Sequence, residues 1–402
     1  MAKAQVYLVL AFVTLASFCA SRAFSAAGDP DSTNTPAPQP EMQMQIAQTP
    51  PDFPRVRLSG EFFLDYYYNA NGDPRHAYNA SGADSGQAYI DGVKPITKDL
   101  NGVQIRRVYL TLDDDFTPKF GTRFRLEADS KSLTSDGKIG VLVKNAFLQI
   151  KNLYAGRDSF QLGLIPTPTF ENSEVFWQYR SIEKTIADFR GIASSTDLGA
   201  AFKGYLDSEY RVGYSLMVGA GTGQKPENDR NKRIYFSLPL RTGSFRLEPY
   251  YDYQVVRVTP AAINNDQALY KVFAGYELKR TGMGAEALSR VLHKGAAATQ
   301  EQRGLSVFLR QIVDPKLSAV LRFDNWIPDH RASNRVDQQF YIGALDWQPF
   351  KDVRSASTLE LLHIEPTVEW LHYQEKGTAV APPHDDVQVR VTFFYRFNKP
   401  LT

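Results

Sequence analysis

The chain has 402 residues, 46 Lys and Arg against 44 Asp and Glu, 12% aromatic side chains and one cysteine. Beyond the N-terminal stretch no run of 18 apolar residues occurs, which excludes a bundle of membrane helices. The balanced charge argues against a general nucleic-acid binder, and the lone Cys19 leaves no disulfide framework and no thiolate chemistry.

Residues 1–25 read as a secretory signal. Lys3 gives a positive start, Val6 to Ala20 form the apolar region, and small residues at 23–27 offer cleavage sites. The apolar run is too short for a membrane anchor, and the bulky Phe18 before Cys19 speaks against a lipoprotein signal. Cleavage would remove Lys3, Arg22 and Cys19, leaving a cysteine-free chain with 44 residues of each charge. Residues 26–54 are Pro-, Gln- and Ala-rich without any core-forming period, as in a flexible periplasmic arm.

From Arg55 the pattern alternates. Val56, Leu58, Gly60, Phe62, Leu64, Tyr66 and Tyr68 interleave with Arg57, Ser59, Glu61 and Asp65, and a period of two marks a half-buried strand. The same texture places strands near 55–68, 103–116, 119–131, 139–151, 157–166, 196–206, 209–220, 231–241, 244–256, 269–279, 283–292, 304–313, 316–326, 336–348, 359–373 and 387–397. The faces of those near 283 and 336 are ambiguous. Short turns such as Thr117-Pro118-Lys119, Asp207-Ser208, Thr242-Gly243 and Asp314-Pro315 alternate with long connections, the longest being 69–102 and 166–195. Residues 130–138 and 349–358 soften that rule.

An even number of strands, short turns at one end and long loops at the other describe an all-β fold: a 16-stranded antiparallel transmembrane β-barrel over 55–402. Closure is needed because lipid satisfies no bare backbone group. Tyr66, Tyr68, Tyr251, Tyr253, Trp347 and Trp370 fit interfacial girdles. The competing reading, a large soluble sandwich or propeller, lacks a blade-length repeat. The barrel implies export to the bacterial outer membrane and contact with its lipid.

Residues 166–195 then form the third external loop. Pro166 and Pro168 end the fifth strand. From Glu174 to Phe189, the residues Val175, Phe176, Tyr179, Ile182, Ile186 and Phe189 recur at helical spacing and would pack on the inner wall. Arg180, Lys184 and Arg190 would face the open lumen, with Glu171 and Glu174 nearby, making a partly helical, inward-folded constriction. This stretch resembles the phosphate-selective porins of the O and P type. The likeness rests on Gly163-Leu164, Pro166-Thr167-Pro168, Arg180-Ser181-Ile182-Glu183-Lys184-Thr185 and Asp197-Leu198-Gly199. The resemblance covers about 40 residues and implies a sixteen-stranded diffusion channel that assembles as a homotrimer. Phe393, Tyr395 and Phe397 look like a terminal aromatic strand, although Asn398 to Thr402 follow it.

The basic residues expected to line the lumen are Arg57, Arg107, Arg123, Arg125, Lys203, Arg211, Arg233, Arg246, Lys271, Arg310, Arg322, Arg390 and Arg396. Acids expected beside them include Glu61, Asp65, Asp113, Glu127, Asp129, Glu248, Asp252, Glu277 and Asp324. The modest basic excess suggests passive diffusion of small hydrophilic solutes with a weak preference for anions such as phosphate. The alternative is a structural or adhesive barrel whose external loops bind a partner or glycan. Ser181-Ile182-Glu183-Lys184 matches the acyl-enzyme pattern S-x-x-K but lacks its α/β core. Gly219 to Gly223 reads as a flexible loop, and Asp113-Asp114-Asp115 as a solvated strand edge. The six histidines, His363 and His372 among them, show no tight ligand spacing, so no catalytic residue, cofactor or metal is expected.

Overall fold

The computed structural model describes residues 52–74, 95–154, 156–227, 229–258, 263–295, 297–351, 361–382 and 384–401. The expected signal and nearly all of the 26–54 arm lie outside the described residues.

The first half of the barrel comprises β1 (Arg55–Asn71), β2 (Asn101–Asp115), β3 (Phe120–Leu133), β4 (Ile139–Lys151), β5 (Asp158–Pro166), β6 (Thr196–Tyr205), β7 (Gly213–Gly219), β8 (Arg233–Ser237) and β9 (Leu240–Thr242). The second half comprises β10 (Phe245–Gln254), β13 (Gln267–Glu277), β14 (Thr281–Lys294), β15 (Ala297–Asp314), β16 (Leu317–Ile327), β17 (Arg335–Trp347), β18 (Leu361–Lys376) and β19 (Asp386–Pro400). Between β10 and β13 a two-stranded ribbon, β11 (Arg257–Val258) and β12 (Ile263–Asn264), forms a sheet of its own in a long loop. Neighbours pair antiparallel, and β19 returns to β1 with Leu58 opposite Lys399 and Tyr68 opposite Val389. No edge is left open, which is what a spanning sheet requires. Strands β8 and β9 both pair with β10 and are interrupted at Pro239, which has no N–H for the ladder. They act as one stave, so the closed barrel has sixteen, each matching one of the sixteen expected segments.

The alternation decides the faces. On β13, Tyr270 and Val272 are 52% and 48% exposed, whereas Lys271 and Phe273 between them are 2% and 1% exposed. The exposed face is apolar around the barrel: Leu64, Leu110, Phe124, Leu148, Leu162, Phe236, Val307, Leu321, Val368 and Phe393 all point outward. That is the arrangement for a lipid-facing wall. The ambiguous strands resolve in the same way. Met283 and Leu345 are exposed, and Glu286 and Phe340 are buried.

Gly163 sits on the inner face of β5 with φ of +133°, and a Cβ there would lie 2.3 Å from the Ala146 carbonyl oxygen of β4. Gly163→Ala is therefore expected to destabilise the barrel by about 1–3 kcal/mol, read as a lower urea midpoint in detergent.

Candidate functional site

The third loop leaves β5 at Pro166 and turns into the lumen. Its neck is tied where Thr167 donates from N–H to the Ser195 carbonyl (3.1 Å) and from Oγ1 to the Ser194 carbonyl (2.8 Å). The loop carries two short helices, α1 (Pro168–Trp177) and α2 (Ile186–Phe189). Pro168 suits the first turn of α1, where its missing N–H costs nothing. Gln178 ends α1 in the left-handed conformation, φ 65°. The helical run expected over 174–189 is thus broken, and residues 178–185 are irregular between the two helices.

The break leaves carbonyl groups without helical partners, and buried carbonyls need donors. Three wall arginines supply them. Arg106 of β2 donates to the carbonyls of Ser181 and Ile182, Arg390 of β19 donates to Ile182, and Arg322 of β16 donates to Lys184. Apolar contacts complete the docking. The Phe176 ring lies 5.4 Å from that of Phe273 and 6.1 Å from that of Phe308. Gly275 makes room for it, since a Cβ there would come within 2.8 Å of the Phe176 ring. Trp177 is fully buried, edge-on to Phe308 at 4.8 Å, and its indole N–H donates to the Glu183 carbonyl at 2.7 Å. Phe189 stacks on Phe340 at 4.9 Å. Val175 departs from the expected stripe and is 75% exposed, because the 100° helical step carries it past the face that Phe176 presents to the wall.

The loop charges divide unevenly. Arg180 borders the remaining space but is not free in it: it is clamped between Glu174 (3.1 Å) and Asp188 (3.2 Å) and donates to the Tyr109 hydroxyl at 3.0 Å. Arg190, unlike Arg180, does not line that space; it is bonded to Gln338 and packed over the Phe189 and Trp326 rings. Both would pay a large desolvation cost without these partners. Lys184 keeps 30% of its side chain exposed beside Asp188 at 3.4 Å. Glu171 pairs with Lys203 of β6 at 2.6 Å.

Nearly all the expected wall residues face inward. Arg57 and Arg123 share Asp113, Arg107 pairs with Glu127 at 3.0 Å, and Arg125 donates to Thr111 at 2.7 Å. Arg233 pairs with Asp252 (2.8 Å), Lys271 with Glu248 (3.0 Å), Arg310 with Glu277, Arg322 with Asp324, and Arg390 with Glu369 (each 2.5 Å). Arg246 sits at the turn end of β10, donating to the carbonyls of Gly243 and Phe245. Arg211 is misplaced by the sequence pattern, since it lies in the short turn before β7, exposed beside Asp207 and Glu209. There the backbone N–H of Val212, joined by that of Arg211, holds the Asp207 carboxyl below its usual range.

Two lumen cations escape strict alternation. Phe63 faces Arg107 and Leu64 faces Ile105, so Arg106 is the extra residue of a β-bulge and joins Arg107 inside, where it pairs with Asp65 at 2.8 Å. On β4 the register skips Lys144, which turns in to meet Glu127 at 2.9 Å. The adjacent Arg106-Arg107 was the visible signal, because two consecutive charges break an alternating strand. The glycine-rich loop after β7 is likewise pinned, the N–H groups of Gly221 and Gly223 both donating to Asp197. Ser181 starts no helix and spends its hydroxyl on Glu365 at 2.7 Å, so the S-x-x-K arrangement is not formed.

Space remains beside the loop. A cavity of about 530 Å³ runs between the loop and strands β1–β3 and β17–β19. Its charged lining is Arg106, Arg107, Arg180, Lys184 and Arg390 against Asp129, Glu183, Glu369 and Asp386. A second space of about 370 Å³ lies toward the short turns, beside Lys151, Arg157, Glu171 and Lys203.

A closed sixteen-stranded barrel, apolar outside, charged inside and crossed by its third loop, has the architecture of a transmembrane porin barrel. No protein-family model and no curated protein sequence matches the chain. Solved structures do. An anion-selective porin from Comamonas acidovorans superposes with a TM-score of 0.59 at 11% identity, over 86% of this chain and 100% of that one. The outer membrane channel DcaP of Acinetobacter baumannii gives 0.58 at 14% identity, over 87% and 99%. The trimer form of OmpT from Vibrio cholerae gives 0.52 at 11% identity, over 85% and 100%. At these identities the likeness is one of fold.

Proposed function

We propose that the protein is an outer-membrane porin that passes small hydrophilic solutes by diffusion, with a weak preference for anions such as phosphate. The observation that carries this reading is the loop-narrowed cavity, in which five basic side chains meet four acidic ones. Narrow walls with a basic excess favour anions, and here the excess is small because most cations are paired. The barrel face suits outer-membrane lipid, and a homotrimer is in keeping with the OmpT relative. No catalytic residue or cofactor enters this account. Liposomes containing the protein should swell in small sugars and in anionic solutes, and unaltered swelling relative to empty liposomes would contradict it.

Lys184 keeps more of its side chain in solvent than Arg180 does. Lys184→Gln should leave folding within about 0.5 kcal/mol of the native value while moving the reversal potential in a salt gradient toward cations. A potential unchanged by this substitution would remove Lys184 from the permeation path.

One observation favours a second reading. Clusters of buried apolar side chains, among them Ile165, Phe170, Tyr235, Leu269, Phe273 and Phe308, lie inside the barrel and fill part of the lumen with the loop. A lumen closed in this way would leave a structural barrel acting through its external loops, and it would pass no current.

A further inference from the structure

The geometry points to a binding site for a divalent transition-metal ion, built from Asp346, His363 and Glu365 on the inner wall between β17 and β18. His363 and Glu365 are two residues apart on one strand and so share a face, and Asp346 reaches them from the neighbouring strand. One nitrogen or oxygen atom from each lies within 4.8 Å of the others, and all three residues are buried.

The polar accounting is incomplete in a way that suits a cation. Asp346 holds His363 through Oδ1 and Nδ1 at 2.8 Å, and its Oδ2 accepts from Gln348 at 2.9 Å. Glu365 accepts from Ser181 on Oε1. The remaining atoms, His363 Nε2 and Glu365 Oε2, are buried without any hydrogen-bond partner. Natural structures rarely leave such atoms bare, and each one calls for an explanation such as an ion.

The charges agree. Asp65, Glu127, Glu248, Asp252 and Asp324 are equally buried, and each faces an arginine or lysine. Among the described residues, neither Asp346 nor Glu365 has an arginine or lysine within ion-pair distance; the imidazole is their one direct partner of basic character, with Arg106 and Arg390 acting on Glu365 only from farther off. A divalent ion would neutralise the pair. One imidazole with two carboxylates suits Zn²⁺ and its first-row neighbours, whereas Mg²⁺ and Ca²⁺ prefer oxygen alone. The Asp346–His363 pair can serve in two ways, as two ligands or as a carboxylate that orients a histidine bound through Nε2. In both, Glu365 supplies Oε2 while Ser181 fixes its other oxygen, so the ion would sit behind the tether that holds the loop's irregular segment.

The test is Zn²⁺ titration of the folded, untagged full-length barrel in detergent, by calorimetry and by urea midpoint. One Zn²⁺ per barrel should bind and raise the midpoint, and Mg²⁺ should not. His363→Gln and Glu365→Gln should each weaken binding by at least about 10-fold, and His372→Gln, at the half-buried His372–Asp385 pair, should leave it intact. Absence of saturable binding, an equal rise with Mg²⁺, or loss in His372→Gln alone would overturn the assignment. The midpoint shift of the unaltered chain decides the matter even where a variant does not fold.

Discussion

Trp177→Ala is expected to raise and destabilise the single-channel current while lowering the unfolding midpoint. Trp177 is the largest fully buried side chain among the described residues. It joins three supports: the edge contact with Phe308, the bond to the Glu183 carbonyl, and the Arg322 guanidinium 5.3 Å from the ring centre. Truncation opens a cavity and orphans a carbonyl, at a cost of about 3–5 kcal/mol. The strands keep their ladder, so the loss falls on the attachment of the third loop. A loop held less firmly swings in the lumen, and planar-bilayer recordings should show frequent transitions to larger conductance. A steady native current from a variant with an intact loop fold would detach this loop from permeation.

The second large effect is expected at Arg390. Its guanidinium pairs with Glu369 and donates to the Ile182 carbonyl, so it joins the last strand to the loop. Arg390→Ala leaves Glu369 buried and uncompensated, which costs about 3–5 kcal/mol. Adding Glu369→Gln removes that uncompensated charge and should recover about half of the loss, the rest belonging to the loop carbonyl. Urea titration of the single and double variants in detergent measures both quantities. Equal destabilisation in the two would mean that the charge pair contributes nothing and the arginine acts through the loop carbonyl and packing.

These effects rest on a fold that was largely legible. Two-residue periodicity is a local property of the chain, and in a closed barrel each stave shows one face to lipid and one to the lumen, so Tyr270, Lys271, Val272 and Phe273 could be sorted before any pairing was known. Arg106 and Lys144 escaped because a bulge shifts the parity of a strand, and the bulge depends on what the neighbouring strand places opposite. Arg211 was misassigned for a related reason, since the strand begins at Gly213 and the turn keeps its arginine. The inward loop was visible in its prolines and aromatic spacing. Its charge pattern was not, because Arg180 and Arg190 answer to Tyr109 and Gln338, which lie 71 and 148 residues away in sequence. The Asp346–His363–Glu365 cluster escaped for the same reason, as its first member comes from another strand.

The central claim is that a solute path persists beside the loop and carries a small basic excess. It is tested most directly by reconstituting the protein in a planar bilayer and reading the reversal potential across a salt gradient. The account predicts discrete channels with a modest anion-directed potential. Folded protein that carries no current, or a cation-directed potential, would contradict it, the first by closing the path and the second by reversing the charge that lines it.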